Sequence, residues 1–290
     1  MKEQIHAAST LQEHQYALGS LLEEFDRVCK QLQIPYVLFA GTLLGAVRHQ
    51  GFIPWDDDLD VLMLRGDYER FLREAEPLLN GERFFLQKEF SPHWPMFFSK
   101  LRLHNTTCLE KYHPKDAKTH QGIYMDIFPC DNAAATELGR KLQFVASKVV
   151  IAKSLDRRGY DTPSKGKRIF MALCRCLPRA PFLKLVKSGA SDSTFVHGFL
   201  GGAHGYRKSV FERKWLSETI PGVFEGKQYP MPVGYDALLK NMYGDYMRLP
   251  PESERMVKQH ALVVDLEHSW ETYSHYRDNM EFEVHTRSIR

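Results

Sequence analysis

The stretch Trp55-Asp-Asp-Asp-Leu-Asp-Val-Leu-Met63 joins an acidic run directly to an apolar one. Its alternation predicts a strand over residues 58–64, with the apolar side chains of that strand in the core. Asp58 and Asp60 would then share the opposite face, with their side chains about 6.6 to 7 Å apart. The sequence therefore predicts two carboxylates aimed at one point.

Two clustered carboxylates need a positive charge beside them. At a separation of ~4 Å and an effective dielectric near 20, like charges repel by about 4 kcal/mol. Hard oxygen ligands suit Mg²⁺ or Mn²⁺, and two such ions can clamp the attacking and leaving oxygens of a phosphoryl group. A solvated acidic loop is the plain alternative for Asp56 to Asp58. A calcium loop is another, although the glycine spacing and terminal glutamate of an EF-hand are missing.

A glycine turn precedes the acidic strand. Residues 36–40 are predicted to form a short strand that ends at Gly41, followed by a brief helix over residues 42–49. Free backbone N–H groups at this helix start, together with the Thr42 hydroxyl, could receive a phosphate. Taken alone, the turn is more often a tight strand-to-helix connection. Its combination with Asp-Leu-Asp about sixteen residues later is more specific.

The rest of the chain alternates helical and strand patterns and predicts an α+β fold. The expected helices cover residues 11–32, a segment capped by Asp67 and ending at Asn80-Gly81, 138–155, 167–186, and 235–243 before Gly244. The further strands cover residues 97–104, with a basic face, and 123–128, stopped by Pro129.

Length and composition are those of an ordinary globular protein. A chain of 290 residues can bury a full core without disulfides, and the five cysteines form neither a disulfide framework nor a paired zinc pattern. We expect reduced thiols. The first residues lack the apolar run of a signal peptide, and no stretch approaches ~18 apolar residues, so a cytoplasmic location is expected.

Positive charge is concentrated in one segment. Residues 137–188 hold thirteen lysines and arginines against three acidic residues, a net charge of +10, whereas the whole chain carries +3. The helices expected there are also rich in apolar residues, which is typical of a segment that lies on an anionic membrane. Peripheral contact with the inner membrane face is one expectation, an anionic acceptor is a second, and a solvated basic face is a third.

Two blocks carry a resemblance to a known family. Residues 39–49, FAGTLLGAVRH, and 51–60, GFIPWDDDLD, resemble the signature of the LicD family of phosphocholine transferases, with fukutin-type ribitol-phosphate transferases as more distant relatives. Further matches are Lys100-Leu-Arg102 with Thr106-Thr107, Asp126-Ile-Phe-Pro129, and Tyr243-Gly-Asp-Tyr-Met247 with Pro250-Pro251. The likeness spans residues 34–251, but residues 133–210 match no motif. No zinc-finger cysteines are present, so no structural zinc is implied.

The resemblance implies a nucleotidyltransferase-like mixed β-sheet flanked by helices. We expect a catalytic core over residues 1–132, a basic helical lobe over 133–215 and a C-terminal segment over 216–290 that packs back on the core. The implied metal ligands are Asp58, Asp60 and Asp126. Asp126 is either the third ligand or the base that takes the acceptor's proton, and an Asp bonded to a nearby turn is its structural alternative.

The resemblance also suggests residues that hold the nucleotide. Gly41 and Thr42 would support the phosphates. Lys100 and Arg102 share a strand face and could bind the same phosphates or form surface salt bridges. Arg48 could contact substrate or cap its helix. His49 and Trp55 are expected to be structural.

The implied reaction uses a CDP-linked alcohol, CDP-choline first. A sugar hydroxyl on a cell-surface glycan precursor, such as lipid-linked teichoic acid or lipopolysaccharide, would attack the distal phosphate and release CMP. Attack on the nucleotide's α-phosphate and a non-catalytic binding protein are the alternatives. No nucleic-acid partner is expected. Hydrolase, metalloprotease, P-loop and Rossmann motifs are absent from the sequence.

Overall fold

The computed structural model describes residues 9–110, 119–200, 205–255 and 261–276. Its helices are α1 (Leu11–Leu32), α2 (Ala40–His49), α3 (Arg65–Glu74), α4 (Glu137–Arg157), α5 (Lys165–Arg175), α6 (Arg179–Val186), α7 (Gly205–Lys208) and α8 (Tyr235–Tyr243). Its strands are β1 (Val37–Leu38), β2 (Asp60–Leu64), β3 (Phe84–Gln87), β4 (Ser99–Leu103), β5 (Thr107–Glu110), β6 (Tyr124–Asn132), β7 (Phe195–His197), β8 (Val210–Glu212), β9 (Thr219–Phe224), β10 (Lys227–Pro232) and β11 (Ala261–Asp265).

The central sheet is mixed, as predicted for an α+β fold. Its strand order is β1-β2-β6-β4-β3, and β7 continues from the end of β6 with β8 beside it. Strands β2 and β6 are parallel, whereas the other pairs in this sheet are antiparallel. β9 pairs with β10, and β5 pairs with β11, as separate two-stranded ribbons. The parallel pair at the centre is the part of the sheet that positions the site.

Helix α1 has the bounds that its sequence predicted. Thr10 and Glu13 form a capping box at its start, and Gln33 ends it in the left-handed conformation. Its apolar stripe, which includes Leu18 and Phe25, is fully buried against the sheet and α3. Periodicity and caps agree here, so local sequence was sufficient to predict the element.

The predicted strand over residues 36–40 was too long. Strand β1 covers Val37–Leu38, and the chain turns sharply at Ala40, whose φ of 46° lies in the left-handed region. An extended strand cannot pass through that conformation. Gly41 consequently lies in the first turn of α2 and not at a strand end.

The predicted start of the acidic strand was also wrong. Strand β2 begins at Asp60, and Asp58 lies in the loop before it. Helix α1 holds this loop, because Gln15 Nε2 donates to the backbone oxygens of Ile53 and Asp56, and a ring nitrogen of His14 lies 3.1 Å from the Asp57 oxygen. Side chains of α1 thus take the place that a neighbouring strand would have.

Two predicted boundaries nearby need correction. Pro129 does not stop the later strand, because β6 runs on to Asn132. β4 pairs with β6 only as far as Ile127, and β7 pairs with it from Asp131, so Pro129 falls where one side of β6 has no partner and one N–H can be missing. Asp67 is not a helix cap. It lies in the first turn of α3, which follows β2 directly from Arg65.

The basic segment forms three helices and not two. The pattern over residues 167–186 is interrupted at Pro178, which precedes α6. Strands β7 and β8, although within residues 133–215, extend the central sheet. All five cysteines are free thiols. Among the described residues, every helix is too short or too polar to span a membrane.

Candidate functional site

The parallel pairing of β2 with β6 brings together two carboxylates far apart in sequence. Asp60 lies directly opposite Asp126 in the register, at the first residue of β2. Neighbouring strands are about 4.8 Å apart, so the two side chains stand side by side. The Asp60 residue is 8% exposed, and the Asp126 side chain is 16% exposed. The predicted association of Asp60 with Asp126 therefore follows from strand register.

The acidic loop brings two more carboxylates to the same place. A Cβ atom added to Gly41 would lie 2.7 Å from Asp56 Oδ2 and 3.7 Å from Asp58 Oδ1. Gly41 therefore lets both side chains approach the first turn of α2. The positive end of a helix dipole favours negative charge there. Asp56 was not selected from the sequence, because a solvated loop explained an isolated acidic run equally well.

The carboxylate cluster consists of Asp56, Asp58, Asp60 and Asp126, and its members repel one another. Burial raises the pKa of Asp60 well above its usual value, and Asp58, Asp126 and Asp56 raise it further. Lys100 opposes that rise but does not cancel it. A buried acid surrounded by acids loses its charge unless a cation joins it. The cluster thus has the electrostatics of a cation-binding site.

Thr42 has a structural contact at the centre of this arrangement. The Asp60 backbone N–H donates to Thr42 Oγ1 at 2.8 Å, and Thr42 is 2% exposed. The Phe39 N–H donates to the Asp60 oxygen on the other side. Thr42 therefore fixes the start of β2 and, with it, the position of the Asp60 carboxylate.

The end of α8 lies near the cluster, and the segment after α8 is bound to α2. Arg48 Nη1 donates to the Tyr246 oxygen at 2.9 Å, which ties the end of α2 to this segment. Burial raises the pKa of Tyr243, and the carboxylates of Asp60, Asp56 and Asp58 raise it further, so this phenol faces the cluster. Tyr243 was part of a quoted motif, but the position of its side chain could not be predicted from that motif.

Lys100 and Arg102 lie in the interior and not on an open strand face. Each is 1% exposed. Lys100 Nζ lies 3.3 Å from Asp126 Oδ1, and burial lowers its pKa to about 8 against the opposing effects of Asp126 and Glu110. Arg102 donates to Gln87 Oε1 and to the Gly122 oxygen. Their contacts favour positioning of Asp126 over direct contact with a phosphate.

Glu110, at the end of β5, is the residue of this region that the sequence did not indicate. Its carboxylate lies 3.5 Å from Lys100 Nζ, 3.8 Å from Arg102 Nη2 and 2.6 Å from Arg158 Nη2. The Tyr124 hydroxyl also donates to it at 3.0 Å. Burial acts to raise the pKa of Glu110, but the three cations outweigh burial and hold it below the usual range. Glu110 is therefore the shared counter-ion of three buried cations.

His49 and Trp55 pack edge to face, with ring centroids 6.2 Å apart.

Within the described parts of the chain, no three acidic, histidine or cysteine side chains stand close enough together to enclose a metal ion as they are oriented. The carboxylate cluster nevertheless suits one chemically, because its ligands are hard oxygen atoms and Lys100 does not cancel the rise in the pKa of Asp60. Metal binding would require some of these side chains to turn toward a common point.

Comparison with known proteins agrees with this geometry. Residues 33–137 match the family model described as LicD/FKTN/FKRP, nucleotidyltransferase domain. These residues include α2, the acidic loop and the parallel pair that carries Asp60 and Asp126. The match indicates a transferase with a nucleotidyltransferase domain over residues 33–137. The matched family is the LicD family, to which the sequence motifs also bear a resemblance.

The similarity to one curated protein extends over most of both chains. The chain is 29% identical over 264 residues to the lipopolysaccharide cholinephosphotransferase LicD of Haemophilus influenzae, a span of 85% of this chain and 94% of that protein. Two uncharacterized proteins, from Rickettsia typhi and Rickettsia prowazekii, are 44% and 45% identical over 55 and 51 residues. Those matches cover less than a fifth of either chain and add no functional information.

The three-cation arrangement predicts a large effect of Glu110→Gln on stability. Without the carboxylate, Lys100, Arg102 and Arg158 would remain buried and close together. Breaking a buried ion pair from one side typically costs about 3 to 5 kcal/mol, and we expect a loss of about 3 kcal/mol in the free energy of unfolding by urea denaturation.

Glu137→Gln is the matched control. Glu137 pairs with Lys141 at 2.8 Å on the exposed side of α4, so its removal should leave the urea midpoint nearly unchanged. Equal midpoints for the two variants would contradict the account of Glu110.

Proposed function

We propose that this protein transfers phosphocholine from CDP-choline to a sugar hydroxyl of a cell-surface glycan precursor and releases CMP. The observation that carries the proposal is the gathering of four carboxylates, Asp56, Asp58, Asp60 and Asp126, at the start of β2 and α2. The similarity to the Haemophilus influenzae protein, whose name specifies cholinephosphotransfer to lipopolysaccharide, supports the transferred group and the kind of acceptor.

We assign Asp58, Asp60 and Asp126 to a divalent cation, Mg²⁺ or Mn²⁺. The support is chemical: these are hard oxygen ligands, and their mutual repulsion in a buried place calls for positive charge. When bound, the cation would neutralise charge on the transferred phosphate and on the leaving group. Asp56 is the fourth carboxylate at this position and adds to the negative potential that attracts the cation.

The proposed reaction exchanges the phosphoanhydride bond of CDP-choline for a phosphate ester bond to the acceptor. The acceptor hydroxyl oxygen bonds to the distal phosphorus of CDP-choline, and the bond from that phosphorus to the bridging oxygen breaks. CMP leaves with the bonding electron pair, and the hydroxyl proton passes to a carboxylate. Burial raises the pKa of Asp126, which makes its carboxylate a stronger base, and Lys100 acts against that rise. Asp126 completes the metal site or serves as this base.

Lys100, Arg102 and Arg158 have a supporting role in this scheme. Lys100 contacts Asp126 directly, and all three cations share the Glu110 carboxylate. Holding the Asp126 side chain in one orientation reduces the reorganisation needed during the reaction. Arg48 supports the site by fixing the segment that follows α8.

Nucleotidyl transfer is the second candidate. The description of the matched family model as a nucleotidyltransferase domain favours it. In that reaction the acceptor attacks the α-phosphate and receives the nucleotide itself. Both reactions would use the same carboxylates, so the structure of the site is compatible with either. Only their products distinguish them.

The experiment is product analysis of the full chain with CDP-choline, Mg²⁺ and lipopolysaccharide that lacks phosphocholine. We expect CMP together with a phosphodiester signal on the acceptor in ³¹P NMR. A cytidylylated acceptor would favour the second candidate, and the absence of both products would contradict enzymatic activity on this substrate pair. Asp60→Asn should form neither product, because it removes a proposed ligand.

A pair of variants on β6 separates catalysis from stability. Asp126→Asn should lower kcat by about a hundredfold or more, with a smaller change in the KM for CDP-choline, because its carboxylate acts on the reacting groups. The free energy of unfolding should change little, since Glu110 still faces Lys100.

Asp131→Asn is its control on the same strand. Asp131 is 1% exposed and binds Arg65 through two bonds of 2.7 and 2.9 Å. Its loss should reduce stability by about 3 kcal/mol but leave kcat nearly unchanged in the folded protein. If Asp126→Asn lost stability and kept its kcat, Asp126 would be structural.

A further inference from the structure

The helices of the basic segment expose large apolar side chains to solvent. We name as the α4–α5 surface the six residues Leu138, Leu142, Val145, Ile169, Phe170 and Leu173. Leu138, Ile169 and Leu173 are 69%, 62% and 67% exposed. Side chains of this kind in one region mark an interaction surface, because exposed apolar side chains are otherwise scattered singly.

The apolar stripe on α4 is only half covered. Leu138, Leu142 and Val145 follow one another at helical spacing, and the same stripe continues in Val149 and Ala152. These last two are buried with Met171 and Cys174 of α5. The stripe is therefore covered by α5 from Val149 onward and open before it.

Helix α5 presents a second apolar strip to the outside. Of its eleven residues, only Met171 and Cys174 are buried, and these face α4. Ile169, Phe170 and Leu173 lie on another side of the helix and are exposed. Helix α5 is strongly amphipathic, and its apolar face is wider than the part that packs against α4.

Positive charge surrounds this apolar area. Lys165, Lys167 and Arg168 occupy the first turn of α5, where the helix dipole opposes them, so they do not stabilise the helix. At the other end of α5, a cavity of about 250 Å³ is lined in part by Lys153, Arg157 and Arg179. The segment as a whole carries +10. Apolar side chains flanked by cations match the interface of an anionic bilayer, whose acyl layer lies beneath a layer of phosphates.

We propose that the α4–α5 surface docks this protein on the surface of an anionic phospholipid bilayer. The apolar side chains enter the boundary between headgroups and acyl chains, and the surrounding cations lie among the headgroup phosphates. Helix α4 links this surface to the site, because Arg158 at its C-terminal end binds Glu110. Docking does not depend on the proposed reaction, since lipid binding is measured without substrates.

Sedimentation of the full chain with lipid vesicles tests the proposal. We expect binding to vesicles of phosphatidylcholine with phosphatidylglycerol and little binding to phosphatidylcholine alone. Binding should weaken as the Debye length falls from about 10 Å at 0.1 M salt to about 3 Å at 1 M salt. No sedimentation with the anionic vesicles at the lower salt concentration would overturn the proposal.

The apolar contribution is tested with Ile169→Ser/Leu173→Ser. Both positions are exposed, so the melting temperature should stay the same, while the partition coefficient onto anionic vesicles should fall by about tenfold or more. Val223→Ser/Val233→Ser is the control, because these side chains are 41% and 42% exposed on and beside the β9–β10 ribbon. The control variant should bind as the unchanged protein does. Equal binding of the Ile169→Ser/Leu173→Ser variant would overturn insertion of the α4–α5 surface into the bilayer.

Discussion

Repulsion among the four carboxylates at the start of β2 and α2 is the constraint on which the rest of the structure depends. The register of β2 against β6 sets Asp60 beside Asp126, and the loop held by α1 adds Asp56 and Asp58. An ordinary core would exclude such a cluster, because each unpaired charge costs several kcal/mol to bury. Its presence in a well-packed sheet supports the proposal that these residues bind a cation.

The cations that oppose this negative charge lie next to the cluster. Glu110 gathers Lys100, Arg102 and Arg158 into one buried group, and Lys100 extends from that group to Asp126. Of these three cations, only Lys100 contacts the cluster. The cluster therefore keeps an excess of negative charge. Arg158 also connects the basic helices to the core, which means that the same ion pairs that orient Asp126 anchor α4.

The parts of the fold that follow local rules could be predicted from the sequence. Helix α1 has the predicted bounds because periodicity and capping residues agree at both of its ends, and α8 ends as predicted before Gly244. The start of β2 could not be predicted, since side chains of α1 replace a neighbouring strand along the acidic loop. The prediction that Pro129 ends β6 was wrong because a proline is tolerated within a strand where that strand has a partner on one side only.

The carboxylates of the candidate site were easier to select from the sequence than the residues around them. Asp58, Asp60 and Asp126 carry recognisable motifs. Glu110 does not, and its ion pair with Arg158 joins residues 48 positions apart, a contact that no short pattern encodes. The burial of Lys100 and Arg102 was missed because alternation along a strand does not tell whether a polar face meets solvent or other charged residues.

Direct titration of Mn²⁺ into the protein without nucleotide, followed by the electron paramagnetic resonance signal of the free ion, tests the central claim most directly. The account predicts saturable loss of the free-ion signal with the unchanged protein and with Asp131→Asn, and no such loss with Asp60→Asn. Binding of Mn²⁺ by folded Asp60→Asn as strongly as by the unchanged protein, or absence of binding by the latter, would contradict a cation site at the carboxylate cluster.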